Sequence, residues 1–196
     1  MRKIVVSEFM SLDGVIEAPE TWQFPFQTEE MGAITERQTR DTEAFLLGRV
    51  TYEVFAGFWP TQTHNEFGVA DKYNSAPKYV VSTTLQTADW NNSTLIQANV
   101  IEEIRKLKQQ PGGTIGIIGS ATLVHSLLEA DLIDEIQVLV HPIVLGKGVR
   151  LFVDGGRPAR MKLVDSQILA NGVVFLSYQI ERQEISTEPG PSQADG

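Results

Sequence analysis

Twice in this chain a short apolar run ends at a glycine and a helical pattern opens on the next residue. Ala44 to Leu47 stop at Gly48 before RVTYEVFAGFW, and Thr114 to Ile118 stop at Gly119 before SATLVHSLL. Strand, glycine, helix is the grammar of a layered α/β domain: a strand buried on both faces reads as a continuous β-branched run, and the helix covering it repeats every 3.6 residues. In the second unit Ser120 is placed to cap the helix, and Leu123, Val124, Leu127 and Leu128 form its inward stripe. In the first, Val50, Val54 and Phe58 recur at intervals of four.

The rest of the chain extends this pattern. Lys3 to Phe9 reads as a buried strand that ends in the turn Ser11-Leu12-Asp13-Gly14, Lys78 to Ser82 as a third strand and Thr94 to Gln97 as a fourth. A polar helix is expected over Thr28 to Arg40, with Met31 and Ile34 at helical spacing. Another follows Asn99, which stands as N-cap with Glu102 three residues on in a capping-box arrangement. Pro19 to Gln27, with Trp22, Phe24 and Phe26, has no steady period and reads as a loop that packs on something. Asp134 to Val140 is a further buried strand. Met161 to Leu169 and Val173 to Ile180 flank Asn171-Gly172, a strong hairpin signal. The expected fold is α/β: a central, mostly parallel sheet flanked by helices, closed by a C-terminal antiparallel hairpin. Residues 1–182 form one domain in this reading, and 183–196 a disordered tail.

Composition excludes several functions. The formal charge is −9, and with Glu184, Glu188 and Asp195 in the tail, about −6 stays on the body, a sign that repels phosphodiester backbones; no nucleic-acid partner is expected. A single anionic cofactor needs only backbone amides and a few local cations such as Arg49, Lys78 or Lys147. The absence of cysteine removes disulfides, thiolate nucleophiles and sulfur-ligated metals, and the three histidines are scattered, so no metal site is expected. No run approaches the ~18 apolar residues of a membrane span, and the N-terminal run is too short for a signal-peptide core, so the expected location is the cytoplasm.

Ligands of open α/β sheets bind outside the carboxyl ends of the strands, where helix N-termini present unpaired amides. Gly48-Arg49-Val50-Thr51 fits that description, with a cation and a hydroxyl beside the glycine; a glycine turn with a surface arginine explains it equally. Gly119-Ser120-Ala121-Thr122 also fits, and an ordinary N-cap is the plainer alternative. Ser82-Thr83-Thr84 offers hydroxyls after the third strand, or merely a polar turn. Asp13 is placed to meet a substrate or assist proton delivery, or to close its own turn. GxGxxG, GxxxxGK[ST] and GxSxG are all absent, which disfavours ordinary Rossmann, P-loop and serine-hydrolase chemistry. His64, His125 and His141 are read as structural.

SLDG after the first strand, LLGRVTYE after the second, VVSTT after the third, IIGSATL after the fifth and PIVLGKG near the end together resemble the dihydrofolate reductase-like family that includes the riboflavin-biosynthesis reductase domain. The resemblance covers residues 2–181. It implies an NADPH site in which Gly48 to Thr51 and Gly119 to Leu123 embrace the diphosphate and Ser82 to Thr84 lie near the 2′-phosphate. The nicotinamide would lie near the first strand and Asp13, with Trp22 as wall or lid of the substrate pocket. It also implies hydride transfer to a small heterocyclic or carbonyl substrate and a homodimer, with Phe55, Phe58 and Trp59 as one candidate surface. Two departures stand out. Ser120 replaces the second glycine of the turn, and Ile118 replaces the glutamate that riboflavin-type reductases carry just before it. The alternative is a non-catalytic nucleotide-binding or regulatory protein on the same fold.

Overall fold

The computed structural model describes residues 1–62 and 69–181. His64 and the tail expected to be disordered lie outside the described residues. The strands are β1 (Ile4–Ser11), β2 (Thr42–Gly48), β3 (Lys78–Val81), β4 (Ser93–Ile96), β5 (Thr114–Ile118), β6 (Glu135–His141), β7 (Arg160–Ile168) and β8 (Val174–Glu181). They form one sheet in the order β4-β3-β2-β5-β1-β6-β8-β7. Pairing is parallel from β4 through β6 and antiparallel for β6–β8 and β8–β7.

The helices are α1 (Glu29–Asp41), α2 (Arg49–Phe58), α3 (Val69–Ser75), α4 (Val100–Gln109) and α5 (Ala121–Glu129). α1 starts where Thr28 accepts a hydrogen bond from the Met31 amide at 3.3 Å. Alternation along the strands feeds two main cores. Ile4, Val6, Leu46, Ile115 and Ile117 pack with α4 and α5 through Ile104, Leu107, Leu123, Val124 and Leu127. Phe45, Leu47 and Val80 pack on the other side with Tyr52 of α2, Tyr73 of α3 and Trp90.

Three local expectations need correction. The recurring stripe of α2 is its outer one: Val50 is 62% exposed, Val54 and Phe58 are exposed with it, and the helix is held by buried Tyr52 with Phe55 and Trp59. Both stripes of that helix are apolar, so spacing alone did not tell them apart. Asn99 and Ser120 are left-handed, with φ of 51° and 57°, and neither side chain caps its helix. Glu102 pairs with Arg105 instead of closing a capping box. The hairpin expected at Asn171-Gly172 is present, with residues 170–172 as its loop: the Leu169 amide donates to Val173 O, the Gly172 amide donates to Leu169 O, and Gly172 carries φ 85°.

Connection order creates the one feature on which the site depends. From β2 the chain proceeds outward to β3 and β4, whereas from β5 it crosses β1 to reach β6. Neighbouring strands β2 and β5 therefore send their helices, α2 and α5, in opposite directions. A crevice at the carboxyl ends of two such strands is where open α/β sheets bind ligands.

Candidate functional site

The two glycine junctions meet at that point. The Gly48 amide donates to Ser120 Oγ at 2.9 Å, the Ser120 amide donates to Thr51 Oγ1 at 3.0 Å, and the two hydroxyls lie 3.2 Å apart. Gly119 is obligatory here: its φ is 58°, and a Cβ would stand 2.7 Å from Thr51 Oγ1. Gly48 has φ −76° and only ordinary contacts, so its backbone does not demand glycine.

The interlock also changes which amides face outward. Those of Gly48 and Ser120 already have hydroxyl acceptors, and the Thr51 hydroxyl is engaged across the crevice instead of standing free. The amides of Arg49, Val50 and Thr51 on α2, and of Ala121 and Thr122 on α5, come before the first intrahelical acceptors. The Leu123 amide turns inward to Ser120 O at 2.8 Å. Arg49 is held along α2 by Glu53 at 2.7 Å, half-exposed and next to the junction.

The other predicted site residues carry structural loads. Ser82 is buried and accepts from the amides of Thr84 and Leu85 at 3.1 and 3.0 Å, so it organises the turn in which Thr83 and Thr84 stand exposed. Lys78 is no surface cation: it is buried, its Nζ donates to Tyr73 O and Ala76 O and lies 4.3 Å from the Trp90 ring, and burial lowers its pKa to about 8. Asp13 accepts from Ser11 Oγ at 2.7 Å and from the amides of Leu145 and Gly146 at 3.1 and 2.8 Å, with Arg150 3.8 Å away. These donors lower its pKa to about 2. Asp13 thereby anchors the loop that follows β6, and its donors favour the ionised form of the carboxyl.

Trp22 is buried. Its Nε1 donates to Glu17 O at 2.9 Å, and its ring meets that of His141 edge-on at 5.2 Å, as do Phe9 and Phe26 at 5.8 and 5.5 Å. His141 Nδ1 bonds Leu139 O, and burial lowers its pKa. His125 ties α5 to the carbonyls of Arg150 and Leu151.

One residue escaped sequence reasoning. Glu8 interrupts the apolar run of β1 and is buried at 7% exposure, beside the end of β5, with the Gly119 amide donating to its carboxyl. Ile118, which stands where a glutamate was expected, packs against the α2 side of the core. The only sequence signal for Glu8 was a charge at a position whose neighbours in the period-two pattern, Ile4 and Val6, are core.

Two clefts, of about 230 and 240 Å³, lie away from this point. One is against Met1, Arg105 and Leu132, and the other is between Lys3, Arg37, Asp41 and Glu135 at the amino ends of the strands. Among the described residues no cluster of potential metal ligands occurs, and no helix is long and apolar enough to cross a membrane.

Sheet order, switch point and interlocked helix starts define a dihydrofolate reductase-like α/β fold. The chain is similar in structure to a putative riboflavin biosynthesis protein from Shewanella (TM-score 0.71, 20% identity, 92% of this chain and 99% of that one). It is also similar to a dihydrofolate reductase from Enterococcus faecalis complexed with NADP(H) (TM-score 0.59, 14% identity, 92% and 97%). Residues 2–175 match the model of the RibD C-terminal domain, and the chain belongs to that reductase-type family. Among its relatives are two uncharacterized Bacillus subtilis (strain 168) proteins. YyaP is 31% identical over 90% of this chain and 94% of its own length, and YwjB is 32% identical over 83% and 89%.

Proposed function

We propose that the protein is an NADPH-dependent reductase of a small heterocyclic or carbonyl compound. The observation that carries this reading is the meeting of the α2 and α5 starts at the switch point, where Ser120 bridges Gly48 and Thr51 beside an obligatory glycine and the first-turn amides of both helices have no intrahelical acceptors. Amides in that position favour a diphosphate through their partial positive charge, without a basic surface. Arg49 to Thr51 and Ala121 to Thr122 would hold the diphosphate, and the exposed Thr83 and Thr84 would meet the adenosine end. When bound, the reduced nicotinamide supplies a hydride to the substrate carbon. The chain's own task is orientation: the Ser120–Thr51 interlock fixes the spacing of the two helix starts. The likeness to an NADP(H)-complexed reductase supports the choice of cofactor.

A second copy of the chain is proposed to cover β7. This edge strand exposes Leu163, Val164 and Ile168, the last at 82%.

Thermal unfolding with NADPH, NADH and no ligand tests the cofactor assignment. A ligand that binds only the native state raises the melting temperature, by an amount equivalent to about 2.7 kcal/mol at a hundredfold excess over Kd. NADPH should do so, and Arg49→Glu should erase the response while leaving the unliganded melt in place. Equal, null responses to both dinucleotides would refute the assignment.

A further inference from the structure

Glu8 is out of keeping with its strand. It lies in β1, between β5 and β6, opposite Val138, on the face shared by Ile4 and Val6. Its Oε1 is buried without a hydrogen-bond partner, while the Gly119 amide donates to the carboxyl. No cation is among the groups that shift its titration; burial holds its pKa well above the carboxylate range, and the Gly119 bond offsets only part of that. Burial therefore favours the protonated carboxyl, and among the described residues nothing partners Oε1. A leucine would complete the core at lower cost, because a buried polar atom without a partner is destabilising.

Its surroundings contain little else that titrates. β6 presents Val138, and Gly119 follows the end of β5. Tyr73 of α3 is held protonated by its own burial, with the charge of Glu8 pushing the same way. Asp13 and Arg150, in the loops beyond, engage each other and nearby backbone. Glu8 stands one strand, roughly 4.8 Å, from the β5–α5 junction, within reach of a dinucleotide held at both junctions.

Resting on the cofactor reading above, we propose that Glu8 is the charge partner of the nicotinamide ring, protonated opposite the reduced, uncharged ring and ionised opposite the oxidised, cationic one. The balance closes. The two electrons of the nicotinamide C4–H bond form the new C–H bond on the substrate, whose π pair takes up one proton. Glu8 releases one proton as the ring gains its positive charge, so the net charge of the site is unchanged by turnover. An opposite charge within ~4–6 Å favours the ionised carboxylate, which couples the ionisation of Glu8 to the redox state of the ring.

The test is calorimetric binding of NADP⁺ and of NADPH to the full chain, in buffers of different ionisation enthalpy, between about pH 6 and about pH 9. NADP⁺ should release up to about one proton, and its affinity should rise up to about tenfold for each unit increase in pH until the pKa of Glu8 is passed; NADPH should do neither. The 2′-phosphate titrates in both ligands and cancels from the comparison. Glu8→Gln should erase the difference between the two dinucleotides. Equal proton release by both on wild-type protein overturns the proposal, and so does a difference that survives in Glu8→Gln. If that variant does not fold, the wild-type comparison decides alone. If neither dinucleotide binds the wild type, the cofactor reading itself falls and this inference with it.

Discussion

At the scale of single residues, the chain spends its charged side chains on tying segments together. Lys108 is buried at the end of α4, bonds Leu132 O at 3.0 Å and pairs with Asp134, which also accepts from the Ile4 amide at 2.8 Å. Removing one member of such a pair strands the other: Asp134→Asn should destabilise the protein by about 3 kcal/mol in denaturant unfolding, and a loss no larger than that of a surface change would show that the pair is effectively solvated. Asp13 does similar work at the other end of β1, and its effect depends on pH. Its folded pKa, about 2, lies below the ordinary 3.8, so its contribution is complete above about pH 4 and disappears as pH falls toward 2. Asp13→Asn should therefore melt lower than wild type at neutral pH, with the gap closing below about pH 4. A gap that persists unchanged at pH 3 would mean that the loop, not the charge, is what the substitution disturbs.

At the scale of elements, the interlock of β2–α2 with β5–α5 makes a coupled prediction. Gly119→Ala combines a left-handed backbone with a close approach to Thr51, and should cost upward of about 2 kcal/mol. Adding Thr51→Ala removes the obstructing hydroxyl, so the double variant should be less damaged than the sum of the singles by about 0.5–3 kcal/mol, whereas simple additivity would show that the two junctions do not sense each other. This junction was legible as two glycine turns, since strand, glycine and helix are each local patterns. That they face each other was not legible, because contact between Ser120 and Gly48 is a property of strand order. Glu8 was missed for the same reason, since only pairing puts it beside Gly119. The α2 stripe failed differently: Val50, Val54 and Phe58 and the set of Tyr52, Phe55 and Trp59 both have helical spacing, and only tertiary packing selects between them. Tyr52→Ala should cost about 3 kcal/mol and Val54→Ala less than about 0.5 kcal/mol; the reverse order would return α2 to the face its spacing first suggested.

At the scale of the molecule, an open sheet has two edges, and they are treated differently. The β4 edge is a strand of four residues, too short to template much pairing. The β7 edge is a strand of nine residues with apolar side chains in solvent, and a register shift between Leu163 and Asp165 leaves Val164 without a partner on β8. A bulge guards an edge against indiscriminate strand addition but does not remove exposed Leu163 and Ile168 from water. A symmetric pairing of two copies would bury both sets at once, since a two-fold interface apposes a patch with itself. Light scattering at micromolar concentration should then return twice the 21.7 kDa chain mass. Ile168→Glu combined with Val164→Lys should halve it without lowering the melting temperature of a diluted sample. A wild-type monomer throughout that range would assign the exposed strand to some other contact and leave the crevice at β2 and β5 complete within a single chain.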